Sequence, residues 1–350
     1  MKWSDVYVAG TAMWLGRRED VRDAVADGRY DEDEAISDDL ASVRVAAEAD
    51  VPVDMAVTAA RRALERSATA PEEVTLLLHS HIGHQGVDQF APASYVQGRT
   101  VGGSAAAIEV RQASNGGMAA LHLAASYLSA SSGSAAALLT TADKFNAPGW
   151  NRFRTDNGMI LSDGATGLVL SREPGVARLL SSVVIGDATH EQVYRGDTWT
   201  QAPGEDGWPV DLRTRKERYF AAGADLLGVI GSITRNQEES LRTALDEAGV
   251  SVDDVARFVF PAVGRVLQDW ESRKAMGIDE SRTTWPWGRT VGHLGAGDQA
   301  AGLTHLLETG QVGPGDKVVL CGVGNGWAYS AAVLEILEQP NWAEQAEASA

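Results

Sequence analysis

The stretch Ile108-Glu-Val-Arg-Gln-Ala-Ser-Asn-Gly-Gly-Met-Ala-Ala-Leu121 decides how this chain is organised. Its pattern predicts a β-strand, a sharp turn that carries Ser114, and a helix that continues to Leu128. A serine at such a junction lies where unpaired backbone N–H groups and the helix dipole favour negative charge. This position suits the nucleophile of an acyl transfer, because the oxyanion that forms during the reaction is stabilised there. The alternative is a helix-capping serine with a purely structural role.

The composition excludes several classes of protein. The 350 residues are 44% hydrophobic and carry a formal net charge of −18, with a pI near 4.8. A nucleic-acid binder needs a basic face, so that class is not expected. The single cysteine, Cys321, allows no internal disulfide and fits a reducing compartment. The start of the chain lacks the apolar core of a signal peptide, and no run approaches the roughly 20 apolar residues of a membrane span. We therefore expect a cytoplasmic protein.

Strands and helices alternate along the chain, which favours an α/β fold. The run Val74–Leu78 is typical of a buried strand, and Asp54–Leu64 has the apolar spacing of an amphipathic helix. Residues 16–50 are rich in Asp, Glu and Arg, and we expect an exposed excursion with one helix there. The element order repeats, so residues 1–172, which contain Ser114, and residues 173–350 are predicted to be duplicated halves packed as one body.

A second polar loop, Gly292-His-Leu-Gly-Ala-Gly-Asp298, offers partners for a serine nucleophile. Its glycines predict a tight turn that carries His293. Asp298 follows at a helix N-terminus, where a carboxylate stays ionised and is placed to orient the ring. A Ser–His–Asp set is defined by geometry and not by chain order. The spacing leaves open that Asp298 only caps a helix and that His293 is solvated. Three other histidines are weaker candidates: His122 and His305 as core or subunit-surface residues, and His190 in a polar segment.

Two further motifs have competing interpretations. His79, His81 and His84 follow a strand, but no cysteine or paired carboxylate lies nearby in the sequence, so a polar loop is favoured over a metal site. The loop Gly322-Val-Gly-Asn-Gly326 lacks the Lys-Ser/Thr of a P-loop and is not followed by a clear helix. Its glycines favour close backbone approach, with a backbone N–H of the loop forming half of an oxyanion hole.

A resemblance to a known family rests on six segments that occur in order: Asp54–Leu64, 106–117, Leu161–Leu170, Phe258–Ala262, 288–298 and Gly315–Gly326. Together they resemble the thiolase-fold ketosynthase III family, whose members start fatty-acid and polyketide chains. The resemblance extends over roughly residues 6–336. It implies an α/β thiolase fold, with two duplicated halves packed as five layers in the order α-β-α-β-α.

Three departures from the family pattern indicate a particular branch. Ser114 occupies the position of the family's cysteine nucleophile, Ala262 that of a histidine, and His293 that of an asparagine. The family's histidine and asparagine donate hydrogen bonds to a malonyl thioester carbonyl as it loses CO₂, so Ala262 removes one donor. A Ser–His–Asp set is similar to the acyltransferase branch, which includes the daunorubicin starter-unit enzyme. A serine hydroxyl is too weakly acidic to act without a base, and His293 with Asp298 would supply one.

The resemblance implies roles for named residues. Ser114, His293 and Asp298 would be catalytic, and no metal or tightly bound cofactor is expected. Acyl-CoA or a phosphopantetheinyl acyl carrier protein would be the substrate. The backbone N–H groups of the oxyanion hole are assigned to Ser114, Asn325 and Gly326. The substrate pocket is assigned to Phe90, Met118, Trp150, Met159 and Ala262, of which the first four would equally suit a core.

Basic residues are candidates for docking an acidic carrier protein or the phosphates of CoA. The densest cluster on this acidic chain comprises Arg213, Arg215, Lys216 and Arg218, and a solvated basic face is the alternative interpretation. The resemblance adds Arg152 and Arg154 near a tunnel mouth. It also implies a homodimer, in which the loop near residues 88–93 lends a residue to the partner's pocket.

Two other functions stay open on the sequence. The chain would be a condensing enzyme if Ser114 loads a starter unit and His293 assists decarboxylation. It would be a catalytically silent partner if it only gates the choice of starter unit in a synthase complex.

Overall fold

The computed structural model describes residues 1–131, 133, 135–196, 208–340 and 342. Its strands are β1 Tyr7–Leu15, β2 Arg17–Asp20, β3 Ser42–Val45, β4 Val74–Ser80, β5 Ala106–Val110, β6 Ala136–Asp143, β7 Gly164–Ser171, β8 Ala177–Gly186, β9 Val255–Val259, β10 Lys317–Gly324 and β11 Ala328–Ile336. Its helices are α1 Val21–Ala26, α2 Glu32–Asp38, α3 Pro52–Ser67, α4 Pro92–Arg99, α5 Gly116–Ala130, α6 Gln192–Arg195, α7 Leu212–Ala221, α8 Leu226–Ala248, α9 Trp270–Ala275, α10 Trp285–Gly288 and α11 Asp298–Glu308.

Among the described residues, nine strands form one mixed sheet in the order β5-β4-β6-β7-β1-β8-β11-β10-β9. On one side β5, β4 and β6 are parallel, and β6, β7 and β1 pair antiparallel. The other side repeats this pattern, because β9 and β10 are parallel and β10, β11 and β8 pair antiparallel. Only the short pairing of Tyr7 with Arg178 and Val8 with Ala177 joins β1 to β8. The predicted boundary at residues 172–173 falls between β7 and β8, and it stays a prediction.

Helices cover both parts of the sheet and lie between them. The central core cluster combines α5 with strands of both sides, through residues such as Leu121, Leu170 and Leu334. On the outer faces, α3 packs its alanines on the first part of the sheet and α8 packs Leu241 on the second. The approach of α3 is close, because a Cβ at Gly167 of β7 would lie 2.7 Å from the Ala59 carbonyl oxygen. The expected five-layer α/β thiolase fold is confirmed. No helix in the described ranges is long and apolar enough to cross a membrane.

The expectation for residues 16–50 was wrong. This segment contains α1, α2 and a separate β2–β3 ladder, and its Tyr30 and Val43 are buried in a cluster that also includes Phe153 and Trp285 from distant parts of the chain. Its acidic residues misled the prediction because several of them begin helices: Asp20 caps α1 and Asp31 caps α2 by accepting backbone N–H groups.

Truncation of the central core tests this architecture. Leu170 of β7 is fully buried in the cluster between the two parts of the sheet, so Leu170→Ala is expected to lower the free energy of unfolding by about 2–5 kcal/mol. Ile36 on α2 is 72% exposed, and Ile36→Ala should change it by less than about 0.5 kcal/mol. Urea denaturation measures both values, and equal losses would contradict the placement of the core.

Candidate active site

Ser114 lies at the junction of β5 and α5, as the sequence pattern predicts. The preceding residue, Ala113, has a left-handed backbone with φ of 47°, which turns the chain sharply before the helix. The Ser114 side chain is almost buried, and its Oγ lies 2.8 Å from Nε2 of His293. Asn115 occupies the cap position of α5. The Ser114 hydroxyl therefore bonds a histidine and does not act as a helix cap.

His293 is a buried residue whose backbone is held firmly, and not a solvated loop residue. Its N–H donates to the Ile160 carbonyl at 3.0 Å, and its carbonyl accepts from the Ser162 N–H at 2.7 Å. The flanking Gly292 has a positive φ of 80°, a conformation that a side chain would strain. The ring is therefore aimed at Ser114 by its backbone attachment to the segment that precedes β7.

Asp298, the first residue of α11, completes the arrangement. Its Oδ2 accepts a 2.6 Å hydrogen bond from Nδ1–H of His293 and a 2.8 Å bond from the Ala262 N–H, while Oδ1 accepts from the Leu294 N–H at 2.7 Å. The helix N-terminus favours the carboxylate. Because Nδ1 carries the proton given to Asp298, Nε2 is left as the acceptor of the Ser114 hydroxyl. This is the geometry of a nucleophile, a general base and an orienting acid.

Electrostatics at this site favour a histidine that can take up a proton. Burial acts to lower the pKa of His293, but the charge and hydrogen bond of Asp298 and the charge of Asp143 outweigh it and raise the pKa above its ordinary value. The imidazolium formed when Ser114 loses its proton is therefore stabilised.

A cavity of about 410 Å³ opens directly onto Ser114. The predicted pocket residues Trp150 and Met159 line it, as do Asn325 and Gly326 of the glycine loop. Their predicted role in an oxyanion hole stays a prediction. The other lining residues are mainly apolar or aromatic, with a polar end: Ile82, Phe145, Thr155, Leu161, Glu191, Tyr194, Arg195, Val210, Leu212 and Arg215. Such a lining suits an acyl chain or ring with a few polar groups.

The structure places three other predicted pocket residues away from this cavity. Met118 lies in the core between the two parts of the sheet. Phe90 packs edge-on against Tyr95, with ring centroids 5.5 Å apart. Ala262 lies beside Asp298, and its backbone N–H holds that carboxylate.

The basic residues proposed for docking do not form one surface. Arg213 makes two hydrogen bonds to Glu34, and Lys216 pairs with Asp156. Arg152 is buried in an ion pair with Asp163, with 10% of its side chain exposed, and Arg154 donates to the Gly28 carbonyl. Of the two remaining residues, Arg215 lines the cavity and donates to the Tyr194 carbonyl at 3.1 Å, and Arg218 is exposed.

The remaining histidines lie outside the Ser–His–Asp arrangement. His79 and His81 are buried and bond Thr140 and Glu109, respectively. In the part of the chain that the structure describes, no three His, Cys, Asp or Glu side chains converge as a metal site would need. Three further histidines make structural contacts: His122 bonds Ser182, His305 stacks on Trp287, and the His190 carbonyl accepts from Trp327.

Sequence reasoning missed a second buried carboxylate at this site. Asp143 ends β6 and faces the His293 loop, where its charge acts on the histidine. The available signal was its position at the end of a strand that begins with the apolar run Ala136-Ala-Leu-Leu139, since charged side chains at strand ends in α/β folds gather at one sheet edge. Glu191 and Tyr194 of the cavity lining had no recognisable pattern in the sequence.

Comparisons with known proteins agree with this fold. Residues 245–336 match the family model described as 3-oxoacyl-[acyl-carrier-protein (ACP)] synthase III C terminal. A beta-ketoacyl-[acyl-carrier-protein] synthase III from Rhizorhabdus wittichii is 26% identical, over 83% of this chain and 86% of its own length.

Two solved structures are similar over almost the whole chain. ChlB3, named as an acyltransferase, is 34% identical with a TM-score of 0.91, covering 96% of this chain and 99% of its own. OleA from Xanthomonas campestris, solved with bound lauric acid and lauroyl-CoA, is 20% identical with a TM-score of 0.76, covering 95% of this chain and 99% of its own. These findings and the site define a thiolase-fold protein. The chain belongs to the 3-oxoacyl-[acyl-carrier-protein] synthase III family.

The histidine environment predicts a titration that NMR can follow. In the wild type, the His293 ring should titrate above the ordinary histidine pKa, so that folding is stabilised at low pH and this contribution is lost as pH rises through the raised value. Asp298→Asn removes the main charge partner, so the pKa of His293 should fall. The internal control is His305, which lies on α11 with Asp298 and whose pKa is lowered by burial to about 4. An unchanged His293 titration in the variant would contradict the assigned ion pair.

Proposed function

We propose that the protein is an acyltransferase that moves an acyl group through an acyl-Ser114 intermediate. The donor is an acyl thioester of CoA or of an acyl carrier protein. The acceptor is a carrier-protein thiol or a small-molecule hydroxyl in polyketide or antibiotic biosynthesis, on the pattern of the daunorubicin starter-unit enzyme. The observation that carries the proposal is the continuous hydrogen-bonded arrangement of Ser114, His293 and Asp298 beside the cavity.

The first half-reaction acylates the enzyme. His293 Nε2 takes the proton of the Ser114 hydroxyl as Oγ attacks the thioester carbonyl carbon, and Asp298 stabilises the imidazolium. The oxyanion of the tetrahedral intermediate accepts hydrogen bonds from backbone N–H groups assigned to Ser114 and the 325–326 turn. The C–S bond then breaks, and the departing thiolate takes the proton from His293 and leaves as the thiol.

The second half-reaction returns the enzyme to its starting state. An acceptor thiol or hydroxyl enters the emptied cavity and gives its proton to His293 as it attacks the acyl carbon. The bond from carbon to Ser114 Oγ breaks, and Oγ regains its proton from His293. Because His293 must be neutral to begin each half-reaction, activity should rise with pH through its raised pKa.

The main alternative is a condensing enzyme, which the synthase name of the Rhizorhabdus wittichii relative favours. Decarboxylation of a malonyl group would need hydrogen-bond donors to the thioester carbonyl, and the resemblance implies that Ala262 lacks one of them. Its methyl side chain cannot donate, and its N–H is already given to Asp298. Acyl transfer by a serine nucleophile needs only groups that are present. The acyltransferase name of ChlB3 also supports the proposal.

Intact-mass analysis is the direct test. Wild-type protein incubated with acyl-CoA thioesters of different lengths should gain the mass of one acyl group, on Ser114. Ser114→Ala should gain none, and His293→Ala should be acylated at least about 100-fold more slowly, since general-base catalysis contributes about 10²–10⁴-fold. Addition of an acceptor thiol should discharge the adduct.

The rival functions give different results in the same assay. Release of CO₂ from a malonyl carrier protein with carbon–carbon bond formation would assign a condensing enzyme. No adduct from any thioester, with a folded protein, would assign a non-catalytic gating partner. Either result overturns the proposal.

Carrier-protein docking can be tested on the two basic residues whose surroundings suit it. Arg215 and Arg218 lie three residues apart on α7, the helix whose start lines the cavity, so their side chains share a face. Arg218→Glu is expected to raise KM for an acidic carrier protein about tenfold, a change of about 1.4 kcal/mol, with kcat unchanged. The matched control is Lys274→Glu, at an exposed residue of α9. Equal effects of the two reversals would indicate net charge and not docking.

A further inference from the structure

A second carboxylate, Asp143, is buried at the end of β6 and joins two loops that form the site. Its Oδ1 accepts the N–H groups of Ile82 and Gly83 at 2.8 and 2.7 Å. Its Oδ2 faces the N–H of Ala296 at 3.4 Å, in the loop between His293 and Asp298. Ile82 lines the cavity at Ser114. One side chain therefore connects the cavity wall to the loop that carries the general base.

The fit around this carboxylate is tight. Gly295 has a φ of 65°, and a Cβ built on it would lie 2.2 Å from Asp143 Oδ2. The next glycine of the loop, Gly297, is equally confined, because its Cβ would lie 2.7 Å from Oγ1 of Thr141, also on β6. The end of β6 thus packs against the His293 loop, and only glycine at these two loop positions permits so close a contact.

We propose that Asp143 is a positioning residue for acyl transfer, whose buried carboxylate locks the His293 loop against the Ile82 wall of the cavity and adds a second negative charge behind the imidazole. The proposal rests on the proposed function. Asp143 bonds Ile82, Gly83 and Ala296 and neither His293 nor Ser114, so it acts through the loop and through its field and is not itself catalytic.

The charge of Asp143 is present under ordinary assay conditions. Burial raises its pKa to about 6, opposed by the hydrogen bonds from Gly83 and Ile82 and by the charge of His81. At pH 7.5 the group is therefore ionised. Its charge favours the imidazolium of His293, which is the species formed as Ser114 attacks.

The other titratable groups around this pair are committed to partners. His81 bonds Glu109 through Nε2 and the Gly83 carbonyl through Nδ1. Asp298 is bonded to His293 itself. Asp163 follows Ser162, which bonds the His293 backbone, and it forms an ion pair with Arg152. Asp143 is thus the group whose loss changes the field at His293 while leaving its hydrogen-bonded partner in place.

This arrangement also gives a role to the histidine-rich segment after β4. His81 closes its own turn through Gly83, while the Gln85 side chain donates to the Ala142 carbonyl at 2.9 Å. His79 bonds both Thr140 and Gln85. These contacts hold residues 81–85 against the end of β6, so that Asp143 has a fixed surface on which to anchor the opposite loop.

The test is Asp143→Asn. The amide retains an oxygen for Ile82 and Gly83, but it removes the charge and turns an NH₂ group toward the Ala296 N–H. We expect kcat/KM for acylation to fall about 10–100-fold, because small displacements of a catalytic group are costly. The KM for the acyl thioester should change by less than about twofold, since Asp143 does not line the cavity. The rising limb of the pH profile should move to lower pH, because the charge that raises the pKa of His293 is gone. A purely structural role would not shift that limb.

Two companion variants keep the test decisive. Asp38→Asn removes a comparably buried aspartate on α2 that accepts the Tyr30 hydroxyl, and it should leave the pH profile unchanged. Gly295→Ala keeps the Asp143 charge but displaces the loop, so it should slow acylation without moving the limb. If Asp143→Asn does not fold, normal acylation by Gly295→Ala overturns the proposal.

The outcomes separate this inference from the proposed function. A wild type that forms no acyl-Ser114 adduct refutes the proposed function. A wild type that forms the adduct, with Asp143→Asn equally fast and titrating at the same pH, refutes the role of Asp143 alone.

Discussion

The hydrogen bond from Ser114 to His293 joins residues 179 positions apart in the sequence, and the rest of the site depends on it. A serine hydroxyl attacks a thioester only when a base takes its proton, so the two groups must lie within about 3 Å. The fold meets this requirement by bringing the N-terminal ends of α5 and α11 together between the two parts of the sheet. The serine comes from one part and the histidine from the other.

Such an approach is possible only where backbone lies against backbone. A Cβ at Gly117, in the first turn of α5, would lie 2.4 Å from the Ala296 carbonyl oxygen. Gly295 is confined by Asp143 in the same loop. The glycines of the 292–297 loop are therefore not only turn formers. They set the distance between the helix that follows the serine and the loop that carries the histidine, which explains why both segments are glycine-rich.

Local sequence patterns predicted much of the site, and they failed where contacts between residues distant in the sequence determine the structure. The strand, turn and helix around Ser114 and the Asp298 helix start follow from short-range signals, because caps and turns are local. The ion pairs of Arg213 with Glu34 and of Lys216 with Asp156 join distant residues. Two residues of the basic cluster predicted from the sequence therefore form separate ion pairs in the structure. Asp143 was missed for the same reason, since its partners lie on two remote loops.

The departures from the family pattern at positions 262 and 293 are best understood together, as one change in the chemistry of the site. The resemblance implies two neutral donors to a thioester carbonyl at these positions, and here one is an alanine and the other a histidine. The backbone N–H of Ala262 holds Asp298, and Asp298 in turn holds the histidine in the tautomer that accepts a proton. An asparagine at 293 could not serve as a base, because its side-chain amide does not take up a proton near neutral pH. Under the proposed function, replacing the pair converts a site that polarises a carbonyl into one that activates a hydroxyl.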